Sequence, residues 1–384
     1  MKSDRLLSLD ILRGITIAGM ILVNNPGSWE YIYAPLKHAD WNGLTPTDLI
    51  FPFFMFIMGI STFISLHKSH FEFGTSILKK IIKRTCIIFL IGLGLSWLSV
   101  SFATYHSLAE SDLNIIARIA NSITNFGHIR ILGVMQRLAI TYGVVSLIAI
   151  LVKHKYIPYI IVLVLLGYFL LLLYGNGFMP DDTNILAITD QKILGINHMF
   201  VEFGLDPEGI LSTIPSICHV LIGFWCGKIL METKDNNRRV LDLFIIGATL
   251  TFIGYLLSYG CPINKKIWSP TYVVITCGMG ATLLALLIWI IDIKAYRKWC
   301  VPFESFGVNP LFIYVLAGVI AILVESIFLT IGTEIISIKD SLFYLVLQPM
   351  LGDYLGSFIY ALFFVIVAWF VGYVLYKKQI YIKI

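Results

Sequence analysis

The chain has 384 residues, of which 58% are hydrophobic and 13% charged, and its mean hydropathy is +0.85. A soluble domain of this size carries about a quarter charged residues to cover its surface, so a soluble globular protein is excluded and an all-α polytopic membrane protein is expected. In such a chain the net charge of +5 reflects topology, and no nucleic-acid partner is expected.

A helix needs about 20 apolar residues to cross the hydrocarbon. Hydropathy predicts ten spans, over 8–25, 46–66, 84–104, 131–152, 156–174, 210–231, 240–259, 270–292, 304–325 and 355–376. The run Leu6 to Val23 has no small-residue cleavage site after it and leads straight into another span, so it reads as a span rather than a signal peptide. Between 111 and 123, Leu113, Ile115, Ile116, Ile119 and Ala120 recur at helical spacing against Asn114, Arg118 and Asn121, which predicts a helix lying on the membrane surface. A short apolar stretch from Ser341 to Leu351, interrupted by Pro349 and Gly352, reads as a re-entrant or interfacial helix. There is no repeat of fixed period, and one membrane domain over 1–384 accounts for the chain.

Orientation follows from the basic residues. One alternating set of segments holds Lys2, Arg5, Lys68, Lys79, Lys80, Lys83, Arg84, Lys153, Lys155, Lys228, Lys234, Arg238, Arg239, Lys294, Arg297, Lys298, Lys377, Lys378 and Lys383, or 19 of the 28 lysines and arginines. The opposite loops hold Lys37, Arg118, Arg130, Lys192, Lys265, Lys266 and Lys339. Both termini are therefore expected in the cytoplasm, with the long loops 26–45, 105–130, 175–209 and 326–354 outside.

The loop from Leu36 to Asp48 concentrates chemistry. It carries His38, Asp40, Trp41 and Asn42 between Pro35 and Pro46, and Asp48 opens the second span where a first-turn carboxylate is favoured. Asn24 closes the first span at the same level. A histidine oriented by a carboxylate or amide is the usual arrangement for a general base or nucleophile. Within the first span Asp10 and Arg13 lie three apart on one face, which suits a helix-internal ion pair; since charge inside a span is costly, contact with an anion is the competing reading. Arg130 and Arg137, seven apart beside Gln136, are expected on one interior face of the fourth span and also suggest an anionic ligand.

Lys265, Lys266, Trp268 and Ser269 form a turn before the eighth span, an ordinary interfacial anchor when taken alone. The run Asp206-Pro207-Glu208-Gly209 reads by itself as a helix start with proline at its first position. Glu304 and Asn309-Pro310 fall in the ninth span, where a proline kink frees backbone groups. His198 and His219 have no evident partners. Six scattered cysteines resemble neither a disulfide framework nor a metal clip, and no metal is expected.

Several of these runs together resemble heparan-α-glucosaminide N-acetyltransferases and their bacterial homologues. They are Arg5 to Gly14, Leu22-Val23-Asn24, Lys37 to Thr45 with Asp48 to Phe54 and Phe56 to Gly59, Ile129 to Ala139, Asp206 to Leu211, Asn264 to Ser269, and Gly307 to Leu311. The resemblance spans most of the chain. It implies a dimeric transmembrane acyltransferase that takes acetyl from cytosolic acetyl-CoA and passes it to an amino sugar across the membrane. It carries the catalytic histidine onto His38, its supporting asparagine and aspartate onto Asn24 and Asp48, and an arginine of the first span onto Arg13.

Under that resemblance Asp10, Arg13, Arg130, Gln136, Arg137 and Asn309 are expected to hold the coenzyme. Asp40, Trp41, Asn42, Glu208, Lys266 and Trp268 are expected to hold the sugar. The lysosomal enzyme's extra lumenal domain and preceding span have no counterpart, so the shorter bacterial form in an inner membrane, with a small amino sugar as acceptor, is expected. An amino-sugar transporter and an O-acyltransferase of a surface glycan are the competing readings.

Overall fold

The computed structural model describes residues 6–109, 111–331 and 334–382; Lys2, Arg5 and Lys383, used above for orientation, lie outside the described residues. The chain runs through α1 (Leu7–Asn24), α2 (Ile50–His67), α3 (Thr75–Ser107), α4 (Ile115–Ile123), α5 (Val134–Leu151) and α6 (Ile157–Tyr174). It continues through α7 (Ile185–Ile193), α8 (Thr213–Glu232), α9 (Asn236–Leu257), α10 (Pro270–Leu287), α11 (Cys300–Val308) and α12 (Pro310–Ser326). An antiparallel hairpin of β1 (Phe328–Ile331) and β2 (Glu334–Ser337), then α13 (Ile338–Asp340), α14 (Gln348–Leu351) and α15 (Asp353–Lys377) complete it. Among the described residues nine helices are long and apolar enough to cross a membrane, or ten if the bent pair α11 and α12 is one broken span rather than a re-entrant loop. The protein is an all-α polytopic membrane protein.

The helices sort into inner and outer ones. In α2, α5, α8 and α10, 61–67% of the apolar window is buried inside the protein; in α3, α6 and α9 only 11–17% is. Rows of leucine and isoleucine left bare on α3, α6 and α9 are what hydrocarbon-facing helices present. The inner pair α2 and α8 approaches almost backbone to backbone. A Cβ on Gly59 would lie 2.1 Å from the carbonyl oxygen of Val220, and one on Gly223 would lie 2.1 Å from that of Phe56. Small residues permit such approach where lipid removes the usual hydrophobic drive between helices.

The ninth predicted span, 304–325, is not one straight helix. It is broken between α11 and α12 by an 87° bend at Asn309. Pro310 supplies no N–H to the turn before it, and the Asn309 side chain instead clamps the end of the chain. Its Nδ2 donates to Ile380 O and its Oδ1 accepts from Ile382 N, both at 2.8 Å. The surface helix expected over 111–123 is α4, capped by Asn114, whose side chain accepts from Ala117 N at 2.8 Å. The stretch 341–351 is a widened helical turn followed by α14, ending at Gly352 with φ of +78°. The β-hairpin and α7 have no hydropathy signature and were not expected.

The loops gather at two ends. Segments around 38–45, 126–133, 176–212 and 258–269 touch one another: the Trp41 indole N–H donates to Phe178 O, Asn264 Nδ2 donates to Asn42 Oδ1, and Ile131 N donates to His198 O. At the other end Phe71 of the 68–74 turn lies edge-on against His154, ring centroids 4.4 Å apart. The helical connectivity thus brings the His38 loop, Arg130, the 206–209 run and the 264–269 run together at one end of the bundle.

Candidate functional site

The loop after α1 turns back at Gly43, whose φ of +130° suits glycine and whose N–H donates to Ile263 O at 2.8 Å. Pro46 then opens a short 3-10 turn, Pro46–Leu49, that leads into α2. Asp48 lies in that turn with its side chain 1% exposed, while the His38 side chain is 45% exposed. Asp48 Oδ1 stands 2.6 Å from His38 Nδ1. Its Oδ2 accepts from Ala39 N and Thr45 N at 3.1 Å each and from Thr45 Oγ1 at 3.0 Å. A carboxylate only accepts, so Nδ1 carries a proton, and in the neutral imidazole Nε2 is the nitrogen with the lone pair.

Lys265 closes the group from the loop before α10. Its Nζ is 3.6 Å from Asp48 Oδ1, 3.0 Å from His38 Nδ1 and 3.3 Å from His38 Nε2. Burial pulls the Lys265 ammonium below the ordinary lysine range, against the opposing pull of Asp48 and Glu208. The loop is stiff: Ser269 Oγ accepts from Tyr272 N at the start of α10 and from Asn264 N, and Asn264 Oδ1 accepts from Ile267 N. The Tyr272 hydroxyl crosses to donate to Asp48 O at 2.7 Å.

These groups open on a cavity of about 220 Å³. Its wall includes Asn24, His38, Asp48, Arg130, Glu208 and Lys266, together with Glu202 and Lys265. Arg130 reaches both oxygens of the buried Asp206, at 3.0 and 2.5 Å, and Glu208 Oε2 at 2.5 Å. Burial works to raise Glu208, but Arg130 and Arg137 outweigh it and hold the carboxyl below the usual glutamate range. The same two carboxylates outweigh burial at Arg130 and raise it further. Asp190, which accepts from Ile210 N and Asp206 N on the same turn, is pushed by burial up to about 6. Lys266 Nζ bonds Asp40 O at 2.5 Å and the Glu202 carboxylate, and lies 4.6 Å from the Phe203 ring centroid.

Other residues singled out in the sequence stand behind or away from the cavity. Trp41 meets Phe203 edge to face, centroids 5.1 Å apart, and Asn42 is held by Asn264, so both brace the loop. Trp268 is buried between Phe51 and Tyr272, with the Arg137 guanidinium 4.7 Å over its ring. Arg137 donates to Ser212 Oγ and Gly209 O beneath the 206–212 turn. Gln136 packs against Gly92 of α3. Asp10, Arg13 and Asn309 lie toward the other end of the bundle. Arg13 donates to Asp10 Oδ1 at 2.9 Å, Ser61 Oγ at 2.8 Å and Gly307 O at 3.2 Å.

Three local readings are corrected. α5 begins at Val134, so Arg130 precedes it and does not share a helical face with Arg137; the two converge through the 206–212 turn instead. Asp206-Pro207 does not start a helix, since α8 begins at Thr213 and Asp206 is the acceptor for Arg130. His198 is partnered, with Nδ1 2.8 Å from Ile129 O. Glu202 and Lys265 also line the cavity, without a local signal in the sequence that marks them. Glu202 lies in no motif, and within the Asn264 to Ser269 run nothing local separates Lys265 from its neighbour Lys266.

Residues 5–261 match the sequence model described as heparan-alpha-glucosaminide N-acetyltransferase, catalytic. The chain is 29% identical to human heparan-alpha-glucosaminide N-acetyltransferase over 369 residues, covering 81% of this chain and 52% of that protein. It is 28% identical to the Mus musculus enzyme of the same name over 375 residues, covering 82% and 53%. The chain thus spans about half the length of the curated relatives it matches.

Proposed function

Because the chain belongs to the heparan-alpha-glucosaminide N-acetyltransferase catalytic family, we propose that it moves an acetyl group from acetyl-CoA to the amino group of a glucosamine-type sugar. The observation that carries this reading is the His38–Asp48 pair, opening with Lys265 into one cavity at one end of a membrane bundle. In this reading the His38 end faces away from the cytoplasm, as the 19 of 28 basic residues on the alternate segments suggest, and the protein sits in a bacterial inner membrane.

A coenzyme that cannot cross a bilayer must then present its thioester through the protein. One face of α1 supports such a route. Asn24 and Met20 line the His38 cavity, Ile17 and Met20 line a narrow apolar cleft with Phe54, Leu311 and Tyr314, and Arg13 continues the same face. From Asn24 to Arg13 is about 16 Å at the helical rise. In this reading Arg13 and the cluster Lys79 to Arg84 serve the phosphates at the far mouth, and the apolar cleft, about 10 Å³ as it stands, widens to admit the pantetheine arm.

At the cavity, His38 Nε2 takes a proton from the sugar amine as it attacks the thioester carbonyl directly. Asp48 fixes the tautomer and stabilises the imidazolium, and Asn24 holds the carbonyl oxygen as charge develops. Glu202 with Lys266 and Glu208 with Arg130 offer paired charges to the hydroxyls of a single sugar ring, in keeping with a small amino sugar rather than a polyanionic chain.

The test is a proteoliposome with acetyl-CoA on one face and a panel of amino sugars on the other. N-acetyl sugar formed with stoichiometric release of CoA supports the reading. Unmodified sugar carried across, with acetyl-CoA untouched, identifies a transporter and overturns it. Acetyl bound to a hydroxyl rather than the amine identifies O-acylation.

A further inference from the structure

The reaction outlined above uses His38, Asp48 and Asn24 and leaves Lys265 without a part. Yet Lys265 Nζ lies 3.3 Å from His38 Nε2, the nitrogen with the free lone pair. A thioester attacked by an amine that is hydrogen-bonded to Nε2 therefore lies within reach of the Lys265 ammonium. Its placement is built rather than incidental. The loop is tied to the His38 loop by the Gly43 N–H on Ile263 O and by Asn264 on Asn42, while the Asn264 and Ser269 side chains fix its turn. Lys265 also lies beyond the 5–261 segment matched by the family model.

We propose that Lys265 is a second catalytic residue, the acid that protonates the departing thiolate while His38 accepts the proton of the attacking amine. The proposal rests on the acetyl-transfer reading. The amine nitrogen forms its bond to the carbonyl carbon and the carbon–sulfur bond breaks, the electron pair leaving with sulfur. One amine proton goes to His38 Nε2 and one ammonium proton of Lys265 goes to sulfur. The imidazolium then gives its proton to solvent in the open cavity, and the neutral Lys265 amine takes one up from it. Both side chains end as they began, and the net transfer is one proton from amine to thiol. Burial of Lys265, which eases release of its proton, acts in the same direction.

The test varies the leaving group. An alkyl thioester such as acetyl-CoA expels a basic thiolate that needs a proton, whereas a nitrothiophenyl acetate expels one that does not. With acetyl-CoA, Lys265→Met and Lys265→Arg are expected to lose about 100-fold or more in kcat, the range of general acid catalysis. Arginine keeps the charge beside Asp48 but does not give up its proton. With the aryl thioester both variants should stay within about 10-fold of wild type, while His38→Gln fails with both donors. Equal losses with the two donors in both lysine variants, or full activity of Lys265→Arg with acetyl-CoA, overturn the proposal. The wild-type rate with acetyl-CoA tests the acetyl-transfer reading separately.

Discussion

Asp48 holds His38 from a buried position ten residues further along the chain. One carboxylate oxygen meets Nδ1 at 2.6 Å, while the other gathers Ala39 N, Thr45 N and Thr45 Oγ1. The residue that orients the ring is thus also the one that folds the loop carrying it. Replacing Asp48 by Asn keeps the shape but allows the imidazole to settle in the other tautomer. Acetyl transfer by Asp48→Asn is expected to fall by about 10²–10⁴, with loop order measured separately by limited proteolysis. A rate within threefold of wild type would contradict the orienting role.

Arg130 ties the turn before α8 to the cavity through Asp206 and Glu208. Removing one partner of a buried ion pair leaves charge uncompensated and costs about 3–5 kcal/mol; Arg130 retains partial exposure, so the lower end applies. Arg130→Met should lower the thermal midpoint of the detergent-solubilised protein by several degrees, measured by intrinsic fluorescence. Arg130→Met with Asp206→Asn should recover part of that loss.

The same turn gives opposite pH signatures at two carboxyls. Asp190 is raised from 3.8 to about 6 by burial, so its contribution to stability is fully present below 3.8 and is lost as pH rises through about 6. Glu208 is lowered, so its contribution is present above its unfolded value of 4.5 and is lost as pH falls through the folded value. A pH series of thermal midpoints should show Asp190→Asn lacking the decline that wild type has between pH 4 and 6. Parallel curves for the two proteins would contradict the assignment.

Gly223 touches the Phe56 carbonyl where α8 crosses α2, and α2 continues from the Pro46–Leu49 turn that holds Asp48. Gly223→Leu must push the two helices apart. Loss of a monodisperse peak in size-exclusion chromatography is expected, whereas Gly94→Leu, on a glycine with open space beside it, should be silent.

The spans and the His38 loop were legible because their signals are local. Apolar runs of membrane length announce themselves, and His38, Asp48 and Thr45 act within ten residues of one another. The bend at Asn309 was legible in kind, through Pro310, but not in size. Lys265 is 227 residues from His38 and Glu202 is 64 from Lys266, and no periodicity encodes such pairs. Arg130 and Arg137 failed as a helical face because the helix starts at Val134. They meet only at a distant turn, where Arg130 bonds Asp206 and Glu208 while Arg137 bonds Gly209 O and Ser212 Oγ.

If His38 is the base of the transfer, acetyl transfer by His38→Ala tests it most directly. The purified protein would be given labelled acetyl-CoA and glucosamine, with coenzyme binding measured in parallel. N-acetylglucosamine formation is expected to be abolished while coenzyme binding stays close to wild type. Unchanged turnover in His38→Ala would contradict it.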